Sequence, residues 1–583
     1  MRHLRPAAWL LGGALLYLSA PASALTTIAE IPQISGQGLY RQDFSLRRDA
    51  DVAVDAVGAG SRASGALLAY AWILDVGSGL PVWRMEMSRT SDAEAAGNVR
   101  QTETIHLAAG AYTLFFTAFG GSFPMEKTIK LLKLFNLGTF SISGGNKVRW
   151  NELGDADEWG TSVELAEGTP SDVIGPAPTP APDGALIRVD RVGNCVYRRI
   201  GLDLTALARF RIRACGEYSS AGKGFADGAW IEDRDNCERV WEMTLVNTEK
   251  GGGAEKNRVF DGEVAIDPGH YLVCYASDDS HAWETWNANP PYNPDAWGVA
   301  LVPSAPLPAG VARVTPSMPE TNVVVRIDRV GDGEFRTEDF RLRHAADFCV
   351  RSLGEWDRNH DRYLDYGWIE DAYSLETVWS MTRLPGVYAA GEARNRLVQD
   401  CVHLVPGAYR VCYVSDEAHS YAGWSNYPPF DPEGWGIRLS GVKDFSADWV
   451  EPLGKGGGDR AIVRLAPMRD DQSRVVRFKV SERMQVKLIA IGEGDRDEMN
   501  DYGWLEREPG GQTVWTMRYE DTTHAGGDAK NRREERVLTL ERGDYALHFV
   551  TDDSHAFGSW NASPPDDPQL WGVTLIELPG GAH

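Results

Sequence analysis

Past its first two dozen residues, the 583-residue sequence has no run of about 18 uninterrupted apolar residues, so no transmembrane helix is expected. It has no C-x-x-C pair, which argues against a zinc ribbon or a thioredoxin-like redox site. Basic residues are in deficit: 59 Lys and Arg stand against 83 Asp and Glu, for a formal net charge of -24. A surface of that sign repels nucleic acid and anionic lipid, excluding both as partners, and attracts divalent cations. Cysteine is confined to the middle of the chain, at Cys195, Cys215, Cys237, Cys274, Cys349, Cys401 and Cys412. Neither end has any, so the fold does not depend on disulfides. The odd total leaves at least one thiol unpaired within a chain. Cys401 and Cys412 flank Pro406-Gly407, and a two-residue hairpin turn there would permit a cross-strand bond.

The N-terminus carries Arg2 and Arg5, an apolar run from Trp9 to Leu18, and the small-x-small pattern Ala22-Ser23-Ala24. This predicts a signal peptide over residues 1–24 and an exported product, periplasmic or secreted.

The rest is one module written four times. DDSHAWETWNANPPYNPDAWGVAL at Asp278 returns as DEAHSYAGWSNYPPFDPEGWGIRL at Asp416 and DDSHAFGSWNASPPDDPQLWGVTL at Asp552, with a worn version ending at Leu165. Trp230 to Trp297, Trp368 to Trp435 and Trp504 to Trp571 are equal intervals of 67 residues. The first copy is longer and includes a basic, apolar segment from Lys127 to Leu137 that packs on its own core or docks elsewhere. Short alternating strands with frequent turns and no helical period predict an all-β fold of four tandem β-sandwich modules, Greek-key or jelly-roll-like. The expected boundaries are 25–167, 184–303, 322–442 and 459–578. Between them lie GPAPTPAPDG, PSAPLPAG and GKGGG.

Each copy holds two tryptophans eleven residues apart around a turn: Trp72/Trp83, Trp230/Trp241, Trp368/Trp379 and Trp504/Trp515. A tight turn would set each pair face to face, with Met85, Met243, Met381 or Met517 on the same core stripe. A Gly-x-Tyr corner follows, at Tyr112, Tyr271, Tyr409 and Tyr545. It resembles the tyrosine corner of Greek-key sandwiches, where the hydroxyl ties down a turn. The corner and its following strand are similar to those of many bacterial extracellular sandwich modules, including modules appended to secreted peptidases and glycosidases.

Copies two to four share polar residues that copy one lacks. They are an aspartate three residues before the first tryptophan (Asp227, Asp365, Asp501) and a glutamate two after it (Glu232, Glu370, Glu506). An asparagine follows a basic residue (Asn257, Asn395, Asn531). An acidic pair with histidine comes next: Asp278, Asp279 and His281; Asp416, Glu417 and His419; Asp552, Asp553 and His555. An aromatic at Trp283, Tyr421 or Phe557 stands beside them and suits stacking on a sugar or a partner side chain. These form the candidate ligand-binding set.

Three readings compete for this set. Asp and Asn bond to loop backbone and brace the Pro-rich loop. Alternatively, calcium is held by carboxylates at alternate positions: Asp357, Asn359, Asp361 and Asp365 in copy three, and Asp495, Asp497 and Asp501 in copy four. Or Asp/Glu and His act in a secreted hydrolase, although sequence neighbours rarely make a triad. The leading expectation is an exported binding or adhesion protein for an extracellular or envelope glycan or protein. No cofactor is required and no catalytic residue is assigned. Hydrolase and structural spacer are the alternatives.

Overall fold

The computed structural model describes residues 26–62, 65–119, 121–122, 147–148, 154–176, 184–318, 320–359, 361–442, 444–453 and 461–578. The signal segment, the Lys127 to Leu137 insert and the GKGGG linker lie outside the described residues. Nearly all described structure is antiparallel strand, with short 3-10 turns and no α-helix among the described residues. The chain is an all-β, multi-module protein. Two compact units divide it, Met1–Ala181 and Pro182–His583.

Copy two shows the plan. Its long strand Ala208–Ser219 alternates buried and outward residues along its first half, as a half-buried strand must. It lies between Gly298–Pro303 and Asn257–Ile266, and Ile187–Val189 closes that sheet. A bulge at Glu217/Tyr218 carries the chain into Gly224–Asp233 of the second sheet, beside Gly269–Ala276 and Tyr197–Leu204. The crossing is tight. A Cβ at Gly216 would lie 2.1 Å from the Asp227 carbonyl oxygen, so only glycine fits before Glu217. Gly298, after Trp297, has φ +142 and would place a Cβ 2.0 Å from the Val189 oxygen. That approach is the physical content of the W-G signature. Copies three and four repeat the pairing, with Ala346–Asp357 and Met484–Asp495 as the long strands. Copy one places Ala50–Ser61 between Gly160–Leu165 and Asn98–Leu107.

The tyrosine corners are present in all four copies. Tyr112, Tyr271, Tyr409 and Tyr545 donate to the carbonyls of Ala108, Asp267, Val405 and Glu541 at 2.8 to 3.0 Å. The corner carries the chain from one sheet to the other, and this overturns the Cys401–Cys412 hairpin. Cys401 lies opposite Cys349 in the first sheet, whereas Cys412 lies opposite Trp368 and Thr337 in the second. All seven cysteines are thiols in the structure.

The tryptophan pairs also differ from expectation. Trp230 opposes Glu242, and Trp241 opposes Ile231, with a bulge one residue on. The same one-residue offset occurs in the other three copies. Adjacent strand residues face opposite sides, so the two tryptophans of each pair do too. The second tryptophan and the methionine fill the module core. The first turns outward from the sandwich.

Within the larger unit, that outward face meets the next copy. Trp230 stacks on Tyr197 at 5.9 Å, and Phe430 of copy three's Pro-rich loop packs against both rings. Arg351 lies over Tyr197 and Phe430 and donates to the Tyr197 hydroxyl at 2.8 Å. One step along, Trp368 stacks on Phe335, and Phe335 meets Phe557 of copy four edge-on at 5.9 Å. Tyr366 donates to the Asp566 carbonyl at 3.3 Å, and Gln569 to Glu370 at 3.4 Å. Strand Ala312–Thr315 joins copy two's second sheet beside Tyr197–Leu204, and Val450–Leu453 does the same in copy three. These sheets therefore run past residues 303 and 442.

Candidate functional site

The recurring aspartate is the strut of the sandwich end in copies two, three and four. Asp227 is fully buried; one carboxylate oxygen accepts the Asp278 backbone N–H at 2.9 Å and the other the Trp297 indole N–H at 2.8 Å. Asp365 holds Asp416 and Trp435 in the same way, and Asp501 holds Asp552 and Trp571.

The asparagine and histidine form a second lock. Asn257 donates to the carbonyls of Gly252 and Asn289, at 2.8 and 2.9 Å, and so clips the Pro-rich loop to the loop before it. Its side-chain oxygen then faces His281 Nε2 at 2.7 Å, so Nε2 carries the proton. Asn395 with His419 and Asn531 with His555 repeat this at 2.7 Å. All three histidines are fully buried and adopt left-handed backbone, with φ between +51 and +58. Each ring is boxed edge-to-face by two tryptophans, Trp286 and Trp297 in copy two. Burial first, and the neighbouring Lys256, push the His281 pKa down to about 3. Burial likewise takes His419 and His555 to about 4. At neutral pH these are neutral structural imidazoles.

The glutamate after the first tryptophan belongs to neither lock. Glu370 accepts from the Trp368 indole at 3.2 Å and faces Arg410 and Gln569 at the junction of copies three and four. Glu506 accepts from Trp504 at 3.1 Å. Glu232 lines a polar pocket at the junction of copies two and three, with Arg199, Glu320 and Arg351. Of the second acids, Glu417 and Asp553 are exposed and Asp279 is half-buried.

The candidate calcium loops are not brought together. Asp357 is half-buried, accepts the Asn359 N–H at 2.9 Å and faces Arg362. Asn359, Asp361, Asp495 and Asp497 are exposed in the hairpin turns, whereas Asp365 and Asp501 point into the interior.

What the interior aspartates do meet was missed from sequence. Glu217, Asp227 and Asp278 bring carboxylate oxygens within 4.8 Å of one another, as do Glu355, Asp365 and Asp416, and Glu493, Asp501 and Asp552. The signal was the Gly-Glu pair closing each long strand, read only as a strand end. A single cation borders each cluster: Lys256 reaches Glu217 at 3.1 Å, Arg394 reaches Glu355 at 2.7 Å and Lys530 reaches Glu493 at 2.9 Å. Burial is the main cause that raises Glu217 and Glu355 to about 7, and Asp501 to about 7. Asp227 and Asp365 are pushed well above the carboxylate range, burial leading and the neighbouring Asp adding.

Copy one also corrects the sequence comparison. Asn98 pairs with Ala59 where Asn257 pairs with Glu217, so the asparagine is retained there. It donates to the Asp155 carbonyl and accepts the Trp159 indole N–H at 2.8 Å. With Ala69 at the aspartate position, the amide oxygen takes over the tryptophan.

The aromatic position is half-buried throughout. Trp283 lies under Arg191 and donates to Asp295, which also pairs with Arg191. Tyr421 has the same arrangement with Arg329 and Glu433. Phe557 packs on Phe335 instead. No family model matches the chain, and no curated protein matches it either.

Proposed function

We propose that the chain is an exported, non-catalytic modular protein that works by binding an envelope or extracellular glycan or protein. One observation carries this reading. In every copy that has the histidine, its Nε2 proton is held by a buried asparagine and its ring is enclosed by tryptophans. A general base must reach a substrate proton, and these rings face only protein. The half-exposed Arg–aromatic–acid stacks at Trp283 and Tyr421 are the contact points we favour, because a stacked, braced ring presents a preformed face to a sugar. Two such points in one compact unit gain avidity through effective concentration.

The spacer alternative is favoured by a separate observation: aromatic and polar contacts lock copies two to four together. Retention of the purified chain on immobilised envelope polysaccharides and matrix proteins separates the readings. Retention lost on Trp283→Ala with Tyr421→Ala supports binding through the stacks. No retention on any surface points to the spacer. Hydrolysis of a glycan or peptide that is abolished by His281→Gln, His419→Gln and His555→Gln together would overturn both.

A further inference from the structure

We propose that the Glu–Asp–Asp cluster in each of copies two, three and four binds a hard divalent cation of the calcium class. The ligands are Glu217, Asp227 and Asp278; Glu355, Asp365 and Asp416; and Glu493, Asp501 and Asp552. This is independent of the binding function proposed above.

The geometry comes first. The three carboxylates of each cluster offer oxygens within 4.8 Å of one another. Two oxygens bound to one calcium at about 2.4 Å lie no more than about 4.8 Å apart, and every pair in each cluster meets that limit. The donor set is oxygen alone, which selects calcium or magnesium over softer metals.

A second observation points to a missing partner. In every cluster the glutamate is more than nine-tenths buried, at 8%, 3% and 5% exposure for Glu217, Glu355 and Glu493. One of its oxygens takes the Lys or Arg, and the other, Oε2, is buried with no hydrogen-bond partner in all three copies. A buried acceptor left without a donor costs about 1–3 kcal/mol. The same glutamate oxygen lacks a protein donor in all three copies, on side chains that converge with two further carboxylates, and this favours a ligand there. Charge agrees once the ion is in place: three ionised carboxylates against one neighbouring Lys or Arg carry two negative charges, which a divalent ion neutralises, so binding would expel the protons that burial favours on these groups.

Copy one supplies the contrast. The strand registers place Ala59, Ala69 and Phe119 where the cluster would be, and Gly97 where the Lys or Arg would be. All three ligands and their cation are replaced together by groups that bind no metal, while Asn98 and Trp159 of the neighbouring lock stay. The three acids and their cation are therefore lost as one unit, separately from the asparagine lock, although the recurring aspartate of each cluster also holds the loop's first N–H and the last tryptophan.

The site lies under the backbone N–H of the third ligand, where the Pro-rich loop leaves the sheet. Asp416 and Asp552 keep partial solvent exposure, which gives an ion a way in. Binding would draw the loop's first residue toward the long strand and stiffen the loop's root.

The test is calorimetric titration of the full chain with Ca2+ after chelator treatment, with thermal unfolding in chelator and in millimolar Ca2+. Three ions per chain and a raised midpoint are expected. Glu217→Gln, Glu355→Gln and Glu493→Gln keep the side-chain volume and remove the free carboxylate oxygen. Each single variant should bind two ions, and the triple variant none. The triple variant should unfold in chelator no more readily than the parent. Terbium luminescence on the unaltered chain, displaced by Ca2+, gives a readout that does not depend on variant folding. No heat, no shift and no terbium signal at millimolar ion would overturn the proposal. So would a response that survives in the triple variant, or one abolished by Asp361→Ala with Asp497→Ala, which would put the ion in the hairpin turns.

Discussion

The carboxylate of Asp365 accepts the indole N–H of Trp435 at 2.9 Å and the backbone N–H of Asp416 at 2.8 Å, with no exposure to solvent. It joins the hairpin, the last strand and the start of the Pro-rich loop, three segments far apart in sequence. Asp365→Ala leaves two buried donors without acceptors and should cost about 3 kcal/mol. Asp365→Asn keeps one acceptor and turns an N–H2 toward a donor, so it should cost less than alanine but more than 1 kcal/mol or so. Chemical denaturation of each variant, followed by tryptophan fluorescence, measures both. A loss under about 0.5 kcal/mol for alanine would show that the strut is dispensable.

Much of this was legible in the sequence, and the failures share a cause. Four copies, their β character and the Gly-x-Tyr corners follow from repeat spacing and turn chemistry. The polar set was recognised because copies two to four retained it. What pattern could not show was register. A single bulge after Ile231 moves Trp230 to the opposite face from Trp241, turning an expected core stripe into half core and half junction. The corner at Pro406-Gly407 crosses between sheets, which separates Cys401 from Cys412. Asp365 and Asp501 were grouped with acidic loop neighbours, but strand alternation turns them inward to meet Glu355 and Glu493. Asn98 escaped notice because its loop lacks the basic residue before the asparagine and has Gly97 there.

The buried histidines should set part of the acid limb of stability. Their folded pKa values, about 3 for His281 and about 4 for His419 and His555, lie below the ordinary value near 6.5. Their contribution is full above about pH 6.5 and is lost as pH falls toward 4, because only the unfolded chain takes the proton. The nearby raised carboxyls of Glu217, Glu355 and Asp501 act in the opposite sense over the same range, gaining protons in the folded state from about pH 7 down. A comparison of variants isolates the histidines. The stability gap between the parent and the His281→Gln, His419→Gln, His555→Gln chain should narrow from pH 7.5 to 4.5. The change should be on the order of 2 kcal/mol per module. A gap independent of pH would mean that the imidazoles titrate in the folded state. Imidazole proton shifts by NMR would report that directly.

The thiols should divide by burial. Cys195 and Cys401 are exposed, whereas Cys215, Cys237, Cys274 and Cys412 are buried. Burial raises the Cys274 thiol to about 12 and pushes Cys412 well above its ordinary range, so little reactive thiolate forms at either. A maleimide reagent on the reduced, folded chain should label Cys195 and Cys401 within minutes and the four buried thiols only after denaturant is added. Mass spectrometry of the digested product assigns each site. Prompt labelling of Cys412 would mean that the second sheet of copy three opens readily in the native state.

The junction between copies two and three should make them unfold together. Phe430 belongs to copy three's Pro-rich loop, yet it packs on Tyr197 and Trp230 of copy two and under Arg351. Phe430→Ala removes the ring that both modules share and should cost about 3 kcal/mol. The loss falls on the coupling more than on either core, because the Asp365 and Asn395 locks of copy three do not involve this ring. Calorimetry of the parent should show copies two and three in one transition, and the variant should split it into two. Arg351→Met keeps apolar contact with the rings but loses the hydrogen bond to Tyr197 and the ion pair with Asp431, so it should weaken the coupling less. If Phe430→Ala lowers the midpoint without splitting the transition, the ring supports copy three alone, and the two modules are coupled through the polar contacts around Glu320 and Arg438.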